Sequence, residues 1–248
     1  MEVHHHPDLH HEKKPWKEYI LEFVMIFLAV TMGFFAESLR ENISENSNAK
    51  DFLETYRNEL VQQQKDFDSY NKIFHKKIGV CDSLMRIFYE ERENKDISMV
   101  ERLILPAKKI IYIPVNTSAY DQMISSGTLR YIKNIPLRDS MAYYKSMMDA
   151  LKNYNTQINL MLLNGELEVQ KLEDVHDVVA KDTGNYQNLM THKVIMKPFP
   201  TMTERERRYL AGYYEDYVVS AASSISKLSV LNKYNRGLLN LVNRELDK

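Results

Sequence analysis

The chain is poor in the residues that staple, hinge or cradle. Cys81 is its one cysteine, which excludes an internal disulfide framework and any zinc or iron–sulfur site built on several thiolates. Seven glycines and seven prolines in 248 residues argue against an all-β sandwich, with its closely spaced turns, and against glycine-rich phosphate loops. An excess of charge of one sign is missing too. The 33 Lys+Arg stand against 34 Asp+Glu, a formal net charge of -1, so no global field selects nucleic acid or a membrane surface. The length still suffices for one large or two small domains with a sizeable core.

Catalytic punctuation is equally sparse. There is no His-Glu-x-x-His, no haem-attachment Cys-x-x-Cys-His, and no Walker or Rossmann glycine pattern. A di-metal helical bundle needs paired Glu-x-x-His motifs, and only Glu173 to His176 supplies one, among acids that read as a solvated helix face. The methionines clustered from Met141 to Met161 read as adaptable core rather than as haem or copper ligands. The mixed-sign stretch Glu204 to Arg208 suits a salt-bridged helix surface better than a nucleic-acid patch. The expectation is a protein that is not an enzyme, with no catalytic residues and no resident cofactor.

One segment is apolar enough for lipid. Ile20 to Ala36 is interrupted only by Glu22, and Phe23 to Ala36, with Phe27, Phe34 and Phe35, carries no charge. Seventeen residues at helical rise reach roughly 25 Å, enough for a thin bilayer core. Trp16 and Tyr19 fall where an interfacial aromatic belt would lie. Lys13, Lys14 and Lys17 precede the segment, and Arg40 follows it among Glu37, Glu41 and Glu45. That asymmetry places the N-terminus in the cytoplasm and the remainder outside. A retained signal anchor is expected rather than a cleaved signal, because the apolar run passes without a turn residue into a helix-favouring stretch. Glu22, one turn inside the segment, reads as a boundary carboxylate that snorkels or stays protonated.

Ahead of the anchor lie His4, His5, His6, His10 and His11. Imidazoles at this density suit Zn or Ni. The segment has Pro7 and little apolar residue content to fix a geometry, so a solvated tail is the favoured reading and metal handling the alternative.

Past the anchor a seven-residue beat sets in. Leu53, Leu60, Phe67, Phe74, Cys81 and Phe88 form an apolar stripe, with Tyr56, Gln63, Tyr70, Lys77 and Leu84 as a weaker companion. The beat returns at Leu137, Tyr144, Leu151, Ile158, Gly165, Leu172 and Val179, and again at Leu210, Tyr217, Leu231 and Leu238. Such stripes predict coiled-coil-like helices. The expected fold is all-α: an N-terminal transmembrane helix plus an elongated antiparallel bundle of three long helices, with short helices between the first and second. The boundaries are residues 1–18 for a His-rich cytoplasmic tail, 19–37 for the anchor, 38–50 for a juxtamembrane connector and 51–248 for an extracytoplasmic bundle.

Local signals refine this layout. The polar run Asn42 to Asn48 is expected to break or bend the first helix. Ile97 to Lys133 reads as short helices broken at Pro106 and Pro114, with Lys108 to Val115 left irregular. Asn134 is the expected cap of the second long helix, and Thr203 with Glu206 forms a capping box for the last. Lys181 to Thr203 is expected to be a loop.

The stretch from Tyr120 to Tyr144 contains Ser125-Ser126-Gly127, Leu129, Ile132, Asn134, Leu137-Arg138 and Tyr143-Tyr144. It resembles the S-S-G-x-L-x-x-I-x-N-x-x-L-R…Y-Y signature of a family of single-pass helical envelope proteins common in the Bacteroidota. The anchor segment from Trp16 to Glu37 is similar as well. The resemblance implies an inner-membrane anchor and a periplasmic helical domain, and it carries no reaction or ligand. Physically, the signature reads as a corner between helices, with Gly127 in the left-handed position. Ser125, Ser126, Gly127, Asn134 and Arg138 are the candidate binding corner, since loops between rigid elements often carry function. The function expected is that of a membrane-anchored, non-enzymatic interaction or scaffold protein, with a sensor or ligand-binding module signalling through a partner as the alternative; the partners expected are the inner membrane, a second copy or an envelope protein, and no nucleic acid.

Overall fold

In a computed structural model, residues 15–89, 97–169, 173–174, 195–196 and 202–247 are described. The chain is helical. Helix α1 spans Trp16–Tyr89, α2 Ile97–Lys108, α3 Ser118–Ser125, α4 Ile135–Val169 and α5 Glu204–Leu246. A 3-10 turn, Thr128–Tyr131, lies between α3 and α4. Strands β1 and β2, Glu173–Asp174 and Ile195–Met196, are two-residue segments paired antiparallel. Glu173 and Asp174 therefore sit in extended backbone and not on a helix face. His176, Leu172, Val179 and the histidine tail lie outside the described residues.

The bundle is built on α1, which packs chiefly on α5. Gln64 meets Asn235 near one end and Tyr89 meets Glu215 near the other, so the two helices run antiparallel. Helix α4 runs antiparallel to α5 as well, from Asn134 at Glu245 to Glu166 at Tyr213. The three stripes meet along the common axis. Leu53, Leu60, Phe67, Phe74, Cys81 and Phe88 are all buried, as are Leu137, Met141, Tyr144, Met148 and Leu151, and Leu210, Tyr217, Leu228, Leu231 and Leu238. A periodicity near seven keeps one face of each helix on the shared seam.

Two further expectations fail. The run Asn42 to Asn48 neither breaks nor bends into a loop: α1 is one helix of 74 residues, roughly 110 Å long at the standard rise. Asparagine and serine are weak helix formers by a few tenths of a kcal/mol each. A helix already propagating on both sides of a short polar run does not repeat the cost of nucleation, and the Asn42 amide is absorbed by the Ser38 carbonyl at 2.8 Å. Nor does Pro106 end its helix. It lies in the last turn of α2, where the missing N–H forfeits a single bond before the helix stops anyway.

Other local expectations hold. Asn134 accepts the Leu137 N–H at 3.2 Å. Gly127 has φ 70, the left-handed conformation only glycine adopts without strain. Thr203 and Glu206 form a reciprocal capping box. The segment after Lys108 remains without helix or strand up to Thr117 and lies along α1 as an extended strap.

The N-terminal third of α1 stands apart. Ala49 is its first buried residue, and the side chains of Trp16, Tyr19, Glu22, Phe23, Phe27, Phe34 and Phe35 are exposed, Phe34 and Phe35 at 73%. This is the one helix among the described residues long and apolar enough to cross a membrane, and none of that apolar window is buried in the bundle.

Candidate functional site

The corner predicted from the signature forms as a corner. Ser125 Oγ donates to the Asp121 carbonyl at 2.8 Å, and Ser126 Oγ shares a 2.7 Å hydrogen bond with Thr128 Oγ1. Asn134 caps α4 with its oxygen and donates its amide to Glu245 Oε2 at 2.9 Å. These polar atoms are engaged in closing helices and tying α4 to the end of α5. The Arg138 side chain shares no hydrogen bond with them among the described residues, so the structure brings four of the five residues into capping roles and leaves Arg138 beside them.

Further along the bundle, the strap gathers a denser set of polar groups. An extended segment lying on helices has carbonyls that no ladder satisfies, and side chains from the helices supply the donors. Gln63 Nε2 donates to the Asn116 carbonyl at 2.6 Å, Asn155 Nδ2 to the Ile113 carbonyl at 2.9 Å, and Lys77 Nζ to the Lys109 carbonyl at 2.5 Å. Glu59 holds the start of α3, accepting from Ser118 Oγ at 3.1 Å and the Ala119 N–H at 3.0 Å. Burial pushes its carboxyl above the usual range, and these two bonds oppose the shift. Ile113 is fully buried and pins the strap into the seam.

Lys77 is the unusual member. Its side chain is buried, and Nζ lies 4.1 Å from the centroid of the Tyr217 ring, a cation–π geometry. Burial pulls its ammonium down to about 8, while nearby Cys81 and Glu166 act to keep the charge. Behind it runs a chain of polar contacts. Tyr217 Oη meets Tyr213 Oη at 3.1 Å, Tyr213 Oη donates to Glu166, and Glu166 pairs with Lys108 Nζ at 2.8 Å. The Tyr213 hydroxyl is held protonated by burial and by that carboxylate. Gly165 makes the approach possible, because a Cβ there would lie 3.0 Å from the Tyr213 ring. Burial also raises the Cys81 thiol to about 11, which makes it an inert core sulfur at neutral pH.

On the solvent side of Lys77 a groove of about 510 Å³ opens between α1 and the strap, walled by Tyr70, Ile73, Val80, Ile110 and Tyr112, with Lys76 and Lys109 at its edge. Sequence reasoning took Lys77 as a weak position in the companion stripe and missed the groove. The available signal was the polar character of Gln63 and Lys77 at positions where the beat demands burial. A polar residue on a buried stripe must find a partner, and here both partners are strap carbonyls. Among the described residues no group of three or more His, Cys, Asp or Glu is placed to hold a metal ion, and the N-terminal histidines, for which metal handling was the alternative to a solvated tail, lie outside them.

No family model, curated protein or solved structure matches the chain.

Proposed function

We propose that the chain is a membrane-tethered, non-enzymatic interaction module of the bacterial envelope, in which residues 20–36 sit in the inner membrane and the bundle projects into the periplasm. The observation that carries this reading is α1 itself. Its apolar N-terminal stretch is exposed along its length and buries nothing in the bundle, yet it continues without a break into the helix that forms the core. Burying such a stretch in lipid removes a large apolar area from water at about 25 cal/mol per Å². The lysines on its N-terminal side and the family resemblance support the orientation. Helix α4 adds a surface for a partner: Leu160, Leu163 and Leu167 share one exposed face.

Three measurements test this. Membranes from producing cells are washed with alkaline carbonate; the full chain stays in the pellet, and a chain lacking residues 16–36 moves to the supernatant. Release of the full chain overturns the tether. Because Cys81 is buried and alone, a cysteine placed at exposed Lys50 reports topology. It is labelled in intact spheroplasts by an impermeant maleimide if the bundle is periplasmic, and only after lysis if the orientation is reversed. Crosslinking in cells, with neighbours identified by mass, then separates self-association from an envelope partner.

A further inference from the structure

The groove beside the strap has walls of unusual composition. From 69 to 81, α1 carries no acidic residue but holds Lys72, His75, Lys76 and Lys77. The strap and the helix before it carry none from 102 to 120, with Arg102, Lys108 and Lys109 between. Lys108 is engaged by Glu166. Lys76 and Lys109 have no carboxylate partner among the described residues. Two lysines thus line one opening without the counter-charges that the balanced composition provides elsewhere.

The same opening is apolar. Ile73 is 43% exposed, Ile110 44% and Tyr112 52%, and together with Val80, Pro106 and Ile111 they line the groove. Isolated exposed apolar side chains are ordinary, whereas several lining one concavity mark a binding surface. At its floor Lys77 uses one proton on the Lys109 carbonyl and turns toward the Tyr217 face, which leaves an N–H for another acceptor.

We propose that this groove binds a small anion with an apolar body, a hydrophobic carboxylate of medium chain length, whose headgroup lies between Lys76 and Lys109 and whose chain lies along Ile73, Ile110 and Tyr112. Lysines act as point charges that take a single carboxylate without demanding a planar fork. The apolar walls reject a small hydrated ion such as phosphate, which would leave them wet. The groove, about 510 Å³, has room for such a chain and lies within the usual range for ligand pockets. The proposal stands independently of the tether.

The test uses the full chain in nanodiscs of neutral phosphatidylcholine, titrated with octanoate by calorimetry against empty discs. Octanol and inorganic phosphate serve as separate arms. One equivalent of octanoate is expected to bind, with octanol and phosphate each weaker by roughly tenfold or more, as expected for loss of charge-assisted bonds or of apolar burial. The double variant Lys76→Gln/Lys109→Gln changes two exposed side chains and should melt as the parent does, while its octanoate affinity falls by a similar factor. Octanoate heats equal to those of empty discs, octanol binding as tightly, phosphate binding as tightly, or an unchanged affinity in the double variant would each overturn the proposal. Ile110→Asp, which keeps the lysines, is expected to abolish octanoate binding; retention there would equally sink it.

Discussion

The two halves of the bundle solve the same packing problem with different chemistry. In the half nearer the exposed apolar stretch, the hydrogen-bonded polar centre is made of amides and a hydroxyl, with the buried Glu59 carboxyl beside it. Asn235, fully buried, accepts from Gln64 Nε2 at 2.7 Å, and its own amide lies within 3.0–3.2 Å of Tyr144 Oη, the Leu60 carbonyl and Gln63 Oε1. Tyr144 in turn donates to Gln63 Oε1 at 2.8 Å. In the far half, around Cys81, Leu84, Tyr213 and Tyr217, the polar centre is ionisable: Lys77, Glu166 and Lys108 with two tyrosines between them. A neutral network fixes register at a cost that pH does not alter near neutrality. A buried ionic one ties the strength of its half to the protonation of its members. The groove opens where this second kind of chemistry approaches the surface.

The comparison is broken most severely at Asn235. Asn235→Leu removes partners from Gln63, Gln64 and Tyr144 and the second donor of the Leu60 carbonyl, which keeps its helical bond, and a loss of about 3 kcal/mol is expected from urea unfolding. That loss should be the same at pH 6 and pH 8, since no member of the network titrates there. Glu166→Gln in the other half should cost about 1–3 kcal/mol, because it removes the charge opposite the half-buried Lys108 and weakens the acceptor for Tyr213.

The pH profile sharpens the contrast. The Lys77 ammonium is lowered from 10.5 to about 8 in the folded chain, so between those values the unfolded state binds more protons and stability rises with pH. Cys81 is raised from 9.0 to about 11, so from 9 upward the folded state binds more protons and stability falls. The two slopes oppose each other above 9. The expected profile therefore gains about 1 kcal/mol between pH 8 and 9, flattens, and falls beyond 10 as the buried tyrosines resist ionisation. Denaturant midpoints for Lys77→Met should lack the rise, and a variant that keeps it would assign the titration elsewhere. The smallest effect on bundle stability is expected at Ser44→Pro. It breaks α1 where no side chain contributes to the core, so the unfolding free energy of the bundle from urea titration should move by less than about 0.5 kcal/mol. Spin-label distances between residues 30 and 60 should nevertheless broaden.

Much of this architecture is legible in local pattern. A repeat of seven carried by Leu53 through Phe88 is enough to find the seam, and Gly127, Asn134 and Thr203–Glu206 announce their own backbone conformations because each satisfies a purely local need. What local pattern hides is partnership. Gln63, Tyr144 and Asn235 are far apart in the chain, and nothing in their neighbourhoods says that three polar residues on three stripes converge. The strap is hidden for the same reason: its carbonyls are satisfied by side chains from α1 and α4, so Lys108 to Val115 has no strand partner to be found. The continuity of α1 through Asn42 to Asn48 is hidden from local pattern because propensity is counted residue by residue, whereas helix propagation is cooperative.

That continuity has a mechanical consequence. With no proline between Trp16 and Tyr89, α1 offers no joint at which the bundle could swivel against its base. A lean of about 20° at the base, ordinary for a helix held in lipid, would sweep Phe88 sideways by some ~27 Å at the standard rise. Were residues 20–36 held in a bilayer as proposed, the far end would act as the tip of a pointer, magnifying small changes of pitch at its root into displacements as wide as a neighbouring protein.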